Sequence, residues 1–446
     1  MSEKKISGFS VGKLKKRIKK NFTIGFIASV IVALLGLMKT AILVKSLSVA
    51  DFGLVLIILN LFAFLLLIVS FRVQDVIYRF YPVFISKNDR YAINRLIWIT
   101  GVLSLGTGLL VASVVAWLGD WLASSVYDAP ELVDTIYLYT VVVPLLALEP
   151  MLVVLLRLHN QFARIAVLQV LGELLIVLGF VFFVLVEGDA FNINLAISVI
   201  GAGIVFRISP MLFMAFRNLM KDTQNAVKTS RKDSSWDLRE VFSVLFHTNI
   251  TGYLKVGSDT GGMFLLGILA TSTEVAIFGL ARQLVKPFTM FQNNLSSAIT
   301  PEVMKLVADG NLVELNKIIG RFLRLALVAI LVLLPVGIFA APYIVNILAN
   351  EEYTGAVLVF DVMFVSALLA LASLWFYAVA VATDRVKQRN KVVALRFIFL
   401  IAAIIVGLDA LTLAIAQLMG VLAIKILFDL PMMKFLQREA RNEGNK

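Results

Sequence analysis

The fold of this chain is decided by long apolar stretches such as FGLVLIILNLFAFLLLIVSFR, residues 52–72. An α-helix needs about 20 apolar residues to cross about 30 Å of hydrocarbon. The other stretches of this kind are 22–46, 93–118, 132–156, 165–186, 191–216, 241–270, 274–299, 322–348, 356–381, 391–409 and 412–434. The pattern predicts an all-α membrane protein with twelve transmembrane helices.

The composition supports this prediction. Hydrophobic residues make up 60% of the chain and the mean hydropathy is +0.92, whereas about half of the residues of a soluble domain are apolar. A transmembrane barrel is excluded, because its strands alternate apolar and polar residues and these stretches are continuously apolar.

The basic residues define the topology. Of the 41 Lys and Arg residues, 34 lie in seven alternate connecting segments: 1–21, 72–95, 157–164, 217–240, 303–324, 385–396 and 434–446. The turns between them, near 46–51, 119–131, 187–191, 271–275, 349–355 and 408–411, contain none. Basic loops stay in the cytoplasm. The alternation therefore predicts a multi-pass protein of the cytoplasmic (inner) membrane with both termini in the cytoplasm.

The formal net charge of +12 does not predict a nucleic-acid partner, because the basic residues follow the loops instead of forming one basic domain. We expect segment 1–21 to contact anionic membrane lipids. The chain has no cysteine, and its two histidines, His159 and His247, are far apart. No metal site is predicted, and without a phosphate-binding glycine motif no cofactor is predicted either.

The chain divides into two halves. We predict a basic segment (1–21), a six-helix bundle (22–216), a cytoplasmic linker (217–240), a second six-helix bundle (241–436) and a tail (437–446). A Phe-Gly-Leu triplet follows the first span of each half, at Phe52 and Phe278, and a proline follows later, at Pro82 and Pro301. These matches favour an internal duplication. Six spans in each half give both halves the same orientation, as in transporters with a substrate site between two repeats.

Seven basic residues remain within or at the ends of the spans. Lys45 lies near an outer end and can extend to the interface, and Arg207 is close enough to the cytoplasmic side to do the same. Each of the others costs about 2.5–3.5 kcal/mol in the membrane. We predict that they form a cationic surface in a central cavity: Lys39, Lys255, Arg282, Lys286 and Lys425.

Acidic residues at similar depth include Glu173, Asp259 and Asp429, as candidates for charge balance or ion coupling. Two of them follow a lysine by four residues, in the pairs Lys255–Asp259 and Lys425–Asp429, and such pairs share a helix face.

Arg282 and Lys286 have the same spacing but the same sign. They must face water, pair with acids on other helices or bind an anionic ligand, and we favour the ligand.

Several of these stretches resemble the oligosaccharide and polysaccharide flippases of the MOP superfamily, of the O-antigen flippase type. The resemblance lies in Asp51-Phe-Gly-Leu54, Val76-Ile-Tyr-Arg-Phe-Tyr-Pro82, Ser258-Asp259, Glu274-Val-Ala-Ile-Phe-Gly-Leu-Ala-Arg282 and Pro301. It implies two bundles in a V around a central cavity, which opens alternately to each side. It also implies a polyprenyl-diphosphate-linked oligosaccharide as substrate, other glycan-assembly proteins as partners, and cavity charges at Arg282 and at Lys255–Asp259.

Two other functions remain open. A multidrug or small-solute antiporter of the same superfamily would have the same spans, but such exporters usually bind cations through cavity acids, whereas basic residues predominate here. A membrane glycan ligase or polymerase needs a large extracytoplasmic loop, and the longest outer turn has 13 residues. We therefore predict a transporter and not an enzyme. The sugars carried and the energy source stay open.

Overall fold

The computed structural model describes residues 11–69, 72–225, 238–239, 241–242, 245, 260–308, 310–383 and 385–444. Every element of more than one residue within these ranges is helical. The first half contains α1 (Val11–Ser46), α2 (Val49–Val69), α3 (Val73–Ser86), α4 (Arg90–Trp121), α5 (Leu132–Thr140), α6 (Val143–Leu158), α7 (Phe162–Glu187) and α8 (Ile193–Asn225).

The second half contains α9 (Thr260–Leu269), α10 (Ser272–Ala308), α11 (Leu312–Leu348), α12 (Gly355–Leu371), α13 (Leu374–Ala382), α14 (Val386–Val406), α15 (Ala410–Ile424) and α16 (Leu430–Gly444). A π-helical turn, Leu122–Val126, extends α4, and another, Lys425–Asp429, joins α15 to α16. Helix α8 continues to Asn225, so the predicted linker 217–240 begins as an extension of this helix.

Eight helical stretches of the described chain are long and apolar enough to cross a membrane, and α12 with α13, bent by 44°, makes a ninth. The eight are Thr23–Ser46, Val49–Val69, Arg90–Val126, Leu132–Leu158, Phe162–Glu187, Ile193–Gln224, Leu312–Leu348 and Ala410–Glu443. The predicted all-α, multi-pass membrane protein is thus confirmed. Helices α10 and α14 overlap the predicted spans 274–299 and 391–409, but each contains several charged residues. The count of twelve stays a prediction.

Apolar side chains cover much of the outer surface, as a bilayer requires. On α11, for example, Leu325 is 69% exposed and Phe339 is 76% exposed. The main hydrophobic core includes residues of both halves, such as Phe62 and Phe278. A second, smaller core lies within the second half and includes Val303.

Helices α2 and α10 join the two halves at the predicted outer ends of both helices. A Cβ added to Gly53 would lie 1.9 Å from the carbonyl oxygen of Ser272, and one added to Gly279 would lie 2.1 Å from Leu56 Cδ1. Both glycines belong to the Phe-Gly-Leu triplets. The triplets therefore lie at the interface between the halves, and at Gly53, which faces backbone, only a residue without a side chain permits this helix spacing.

Candidate functional site: a charge cluster between the two halves

Lys39 and Glu173 join the first and fifth predicted spans. Helices α1 and α7 pack along each other, and Lys39 Nζ lies 2.9 Å from Glu173 Oε2. Both side chains are partly exposed, at 23% and 15%. At about 1.5 Å per residue, Glu173 lies about 16 Å along α7 from Phe162, which places the pair within the depth of the membrane.

Arg282 and Lys286 approach this pair from α10. A Cβ added to Gly36 of α1 would lie 2.6 Å from Gln283 Nε2, so α1 and α10 are in close contact at this level. Arg282 and Lys286 flank Gln283 along α10, and the charges of Lys39 and Glu173 both act on Lys286. Lys286 therefore lies near an acid on another helix, Glu173.

The two α10 cations differ in their contacts. Arg282 Nη1 donates to Met263 Sδ at 3.0 Å. The Lys286 ammonium forms no hydrogen bond and no salt bridge with any residue that the structure describes. It is partly buried, and a buried ammonium needs a polar partner. Lys286 is therefore the cation of this group with the most capacity to bind a ligand.

Arg207 and Glu149 form a second ion pair, which the sequence did not predict. Arg207 Nη2 lies 2.8 Å from Glu149 Oε2, whereas we expected Arg207 to reach the cytoplasmic interface. That expectation was wrong because a carboxylate on α6 holds the guanidinium within the bundle. Arg207 also packs on α7, because a Cβ added to Gly172 would lie 3.0 Å from Arg207 Cβ. In addition, the negative charge of Glu173 acts on Glu149.

These six residues form a continuous group, which we name the interface charge cluster: Lys39, Glu149, Glu173, Arg207, Arg282 and Lys286. Among the residues that the structure describes, it contains four cations and two acids. An uncompensated charge is costly in the low dielectric of a membrane protein. The Lys286 ammonium, which has no salt bridge with any of these residues, therefore favours water or an anionic group beside it.

Lys425 and Asp429 lie apart from this cluster. Lys425 Nζ is 3.4 Å from Asp429 Oδ2, so the predicted pair on one helix face is confirmed. Asp429 is 3% exposed and accepts a hydrogen bond from Ser373. All of these contacts lie within the second half, and none of the described contacts joins Lys425 to Lys39, Arg282 or Lys286.

The structure thus brings together three of the five predicted cavity cations. Lys255 and Asp259 lie outside the described residues, so the predicted pair and its role stay predictions. No three His, Asp or Glu side chains of the described part are grouped as a metal site.

Comparisons with known proteins identify the family. The sequence profile of a family described as polysaccharide biosynthesis proteins matches residues 18–307. The chain belongs to this family. No curated protein matches the chain in sequence.

Solved structures match the fold along nearly the whole chain. An inward-facing multidrug resistance transporter of the MATE family, in the MOP superfamily, has a TM-score of 0.66 at 16% identity and covers 97% of both chains. The lipid II flippase MurJ, in an inward-closed conformation, has a TM-score of 0.65 at 14% identity, with 94% of this chain and 90% of that chain covered.

A third match is a MOP superfamily transporter from Pyrococcus furiosus, with a TM-score of 0.62 at 16% identity and coverage of 94% and 96%. The description of that protein reports a binding pocket of reversed polarity. At these identities the structures show a shared fold only. Together with the family, they confirm the resemblance to MOP-superfamily polysaccharide flippases that the sequence predicted.

Proposed function

We propose that this protein is a flippase of the cytoplasmic membrane. It moves a polyprenyl-diphosphate-linked oligosaccharide, such as the repeat unit of O-antigen or another surface polysaccharide, from the inner to the outer leaflet. The two halves rock against each other and expose the interface charge cluster to each side in turn. Membrane lipids surround the protein, and other glycan-assembly proteins supply and consume the substrate.

The Lys286 ammonium carries this proposal, because it lies in the interface charge cluster and has no salt bridge with any described residue. An exporter of cationic drugs needs acids in its cavity, whereas the described residues of this cluster include twice as many cations as acids. A diphosphate supplies an anionic partner for Lys286. Arginine binds phosphate through two parallel N–H groups and lysine acts as a point charge, so Arg282 and Lys286 together suit a diphosphate.

The physical barrier explains why such a cluster is useful. A diphosphate and several sugars cannot enter about 30 Å of hydrocarbon unaided, because buried charges and unpaired hydroxyl groups cost many kcal/mol. A hydrated cleft beside the cluster provides hydrogen bonds and opposite charge during the crossing. The polyprenyl chain stays in the bilayer, where its transfer costs nothing.

Lys39 adds a means of release. Lys39 is paired with Glu173. When a diphosphate binds, it competes with Glu173 for Lys39, and the salt bridge between Lys39 and Glu173 forms again when the headgroup dissociates. This exchange of partners keeps Lys39 paired in both states and prevents the substrate from binding too tightly to leave.

The test compares Lys286→Ala with Lys45→Ala in a strain that depends on this protein for its surface glycan. Lys45 is a matched control, because it is a lysine at the outer end of α1, outside the cluster. We expect Lys286→Ala to reach normal membrane abundance and to lose most surface glycan, with lipid-linked glycan retained on the inner leaflet. Lys45→Ala should behave as wild type. Normal glycan with altered drug resistance in Lys286→Ala would instead favour the antiporter.

A further inference from the structure

Two arginines lie together at the predicted cytoplasmic end of the second half. Arg385 directly precedes α14, and Arg389 belongs to the first turn of this helix. The backbone N–H of Arg389 donates to the carbonyl oxygen of Arg385 at 3.2 Å, so the helical turn includes both residues. Side chains four residues apart lie on one helix face, with their Cβ atoms about 5–6 Å apart. The two guanidinium groups therefore lie on the same side of α14.

Each guanidinium group lies on an aromatic ring from another helix. Arg385 Cζ is 3.6 Å from the centroid of the Phe435 ring on α16, and Arg389 Cζ is 4.8 Å from the centroid of the Tyr377 ring on α13. A cation within about 6 Å of a ring centroid is attracted to the face of the ring. The rings therefore hold both groups in place, and they contact the flat faces of the guanidinium groups instead of the N–H edges.

The N–H edges of both arginines have no partner within the described part of the chain. Arg385 and Arg389 form no salt bridge and no side-chain hydrogen bond with any residue of this part. Both side chains are nevertheless partly buried, whereas Lys387 and Lys391 of the same segment are exposed. Two like charges on one helix face repel each other, and partly buried charges need polar partners. The pair is therefore incomplete without an anion.

The nearby acids do not supply this anion. The charge of Asp429 acts on Arg389, but Asp429 is already paired with Lys425 and accepts a hydrogen bond from Ser373. Glu439, one turn after the ring of Phe435 on α16, forms no salt bridge with a described residue. An external anion can reach the arginines, because Tyr377 is 43% exposed.

We propose that Arg385 and Arg389 bind a phosphate group at the cytoplasmic end of the second half. Each guanidinium group donates two parallel N–H bonds to phosphate oxygens, and one phosphate bridges the pair. Tyr377 and Phe435 are positioning residues, which orient the guanidinium groups. The phosphate belongs to a lipid headgroup or to a soluble phosphate, since the site lies where the predicted spans end. This inference does not depend on the proposed flippase function.

The test measures binding to the purified full-length protein in detergent by thermal stabilisation. The probes are inorganic phosphate, a short-chain phosphatidylglycerol and farnesyl diphosphate. The references without phosphate are chloride and a short-chain diacylglycerol, at equal ionic strength. Every titration is repeated in Lys286→Ala, which removes binding at the interface charge cluster.

We expect at least one phosphate-bearing probe to bind at least about tenfold more tightly than its reference. Arg385→Gln and Arg389→Gln should each weaken this binding by at least about tenfold, because each removes charge-assisted hydrogen bonds. Arg389→Lys should give an intermediate affinity, since the charge is kept and the paired N–H groups are lost. Lys387→Gln and Lys391→Gln are the matched controls, because they remove the same charge from exposed positions of the same segment, and they should bind as wild type does.

Variants of Tyr377 test the site without removing a charge. Tyr377→Leu removes the ring under Arg389 and should weaken phosphate binding, even if Arg389→Gln does not fold. Tyr377→Phe keeps the ring and should bind as wild type does. A purely structural role of Tyr377 would change the Tm of the protein without probe and leave the affinity for phosphate unchanged.

Two outcomes overturn the inference. One is an equal loss of affinity in the arginine and lysine variants, which would show attraction to the whole basic surface. The other is a phosphate-bearing probe that binds no more tightly than its reference in every case. The probe that binds most tightly identifies the source: a membrane phospholipid, a prenyl diphosphate or soluble phosphate.

Discussion

Lys39 on α1 and Glu173 on α7 form a 2.9 Å salt bridge between residues that are 134 positions apart in the chain. The charges of this pair act on Lys286 of α10, so the cluster contains interacting charges from both halves. Glu173 partly neutralises the neighbouring cations, whereas Lys286 has no salt bridge with any residue that the structure describes.

Glu173→Gln tests the structural role of this pair. The change removes the carboxylate and leaves the Lys39 ammonium beside other cations, so we expect a loss of stability on the order of 1–3 kcal/mol. The measurement is the Tm of the purified protein. The double variant Lys39→Met with Glu173→Gln should recover part of the loss. Exposed Glu187→Gln is the control. An equal Tm for Glu173→Gln and wild type would contradict the pairing.

Gly53→Ala tests the contact between α2 and α10. An added Cβ would meet the Ser272 carbonyl oxygen at 1.9 Å, and backbone cannot move aside as a flexible side chain can. We therefore expect the outer ends of the halves to separate. The chain has no cysteine, so a single Val55→Cys, fully buried in wild type, reports the change.

An impermeant maleimide should label Cys at this position much faster in Gly53→Ala. Gly25→Ala is the matched control, since a Cβ there meets nothing within 4 Å. Equal labelling rates in the two variants would show that the contact does not close the outer side.

Tyr81, His159 and Asp222 form a cluster at the predicted cytoplasmic end of the first half. Tyr81 Oη donates to Asp222 Oδ2 at 2.5 Å, and His159 Nε2 lies 2.8 Å from the same oxygen. Burial, followed by the hydrogen bond and the negative charge of Asp222, raises the pKa of Tyr81 above its ordinary value of 10.0. The neutral phenol is thus favoured in the fold, and its contribution to stability is lost only as the pH rises through the raised pKa.

Tyr81→Phe should therefore lower the Tm by the same amount at pH 7 and at pH 9. A net hydrogen bond to a charged group contributes about 1.5–3 kcal/mol. The measurement is the difference in Tm between variant and wild type at each pH, with Tyr78→Phe, partly exposed on the same helix, as the control. Above pH 10 the unfolded tyrosine ionises while the folded one stays neutral, so the difference should become smaller by about pH 11. A difference that is unchanged there would contradict the raised pKa.

The topology is tested by reporter fusions in the connecting segments that the sequence predicts. We expect fusions at Asp128, Asp189 and Glu351 to report the extracytoplasmic side, and fusions at Lys87, Lys228 and Lys387 to report the cytoplasm. The reason is the alternation of basic and non-basic connecting segments. A cytoplasmic signal at any of the first three positions would exclude the twelve-span arrangement.

The sequence predicted the features of this protein that depend on local patterns. Continuous apolar stretches determine a helical membrane protein, and Lys425–Asp429 was predictable because the two residues lie one turn apart on a single helix. The Phe-Gly-Leu triplets were recognised as a repeat, but their position at the contact between α2 and α10 was not apparent.

Pairs between helices could not be predicted in this way. Arg207 and Glu149 are 58 residues apart and lie on different helices, and these helices are apolar on all sides. The hydrophobic pattern therefore contains no information on which face of each helix points inward, and so on which charges meet. The same reason separates Lys425 from the other predicted cavity cations: it pairs with Asp429, which accepts a hydrogen bond from Ser373, and all three residues lie within the second half.

The most direct test of the central claim is a translocation assay with purified protein in lipid vesicles. A polyprenyl-diphosphate-linked oligosaccharide is placed in the outer leaflet, and the fraction that becomes inaccessible to a membrane-impermeant sugar-modifying reagent is followed over time. We predict rapid protection with wild type and Lys45→Ala, and protection at least about tenfold slower with Lys286→Ala, since a charge-assisted contact contributes about 1.5–3 kcal/mol. Equal rates for Lys286→Ala and wild type, or no protection by wild type above empty vesicles, would contradict the account.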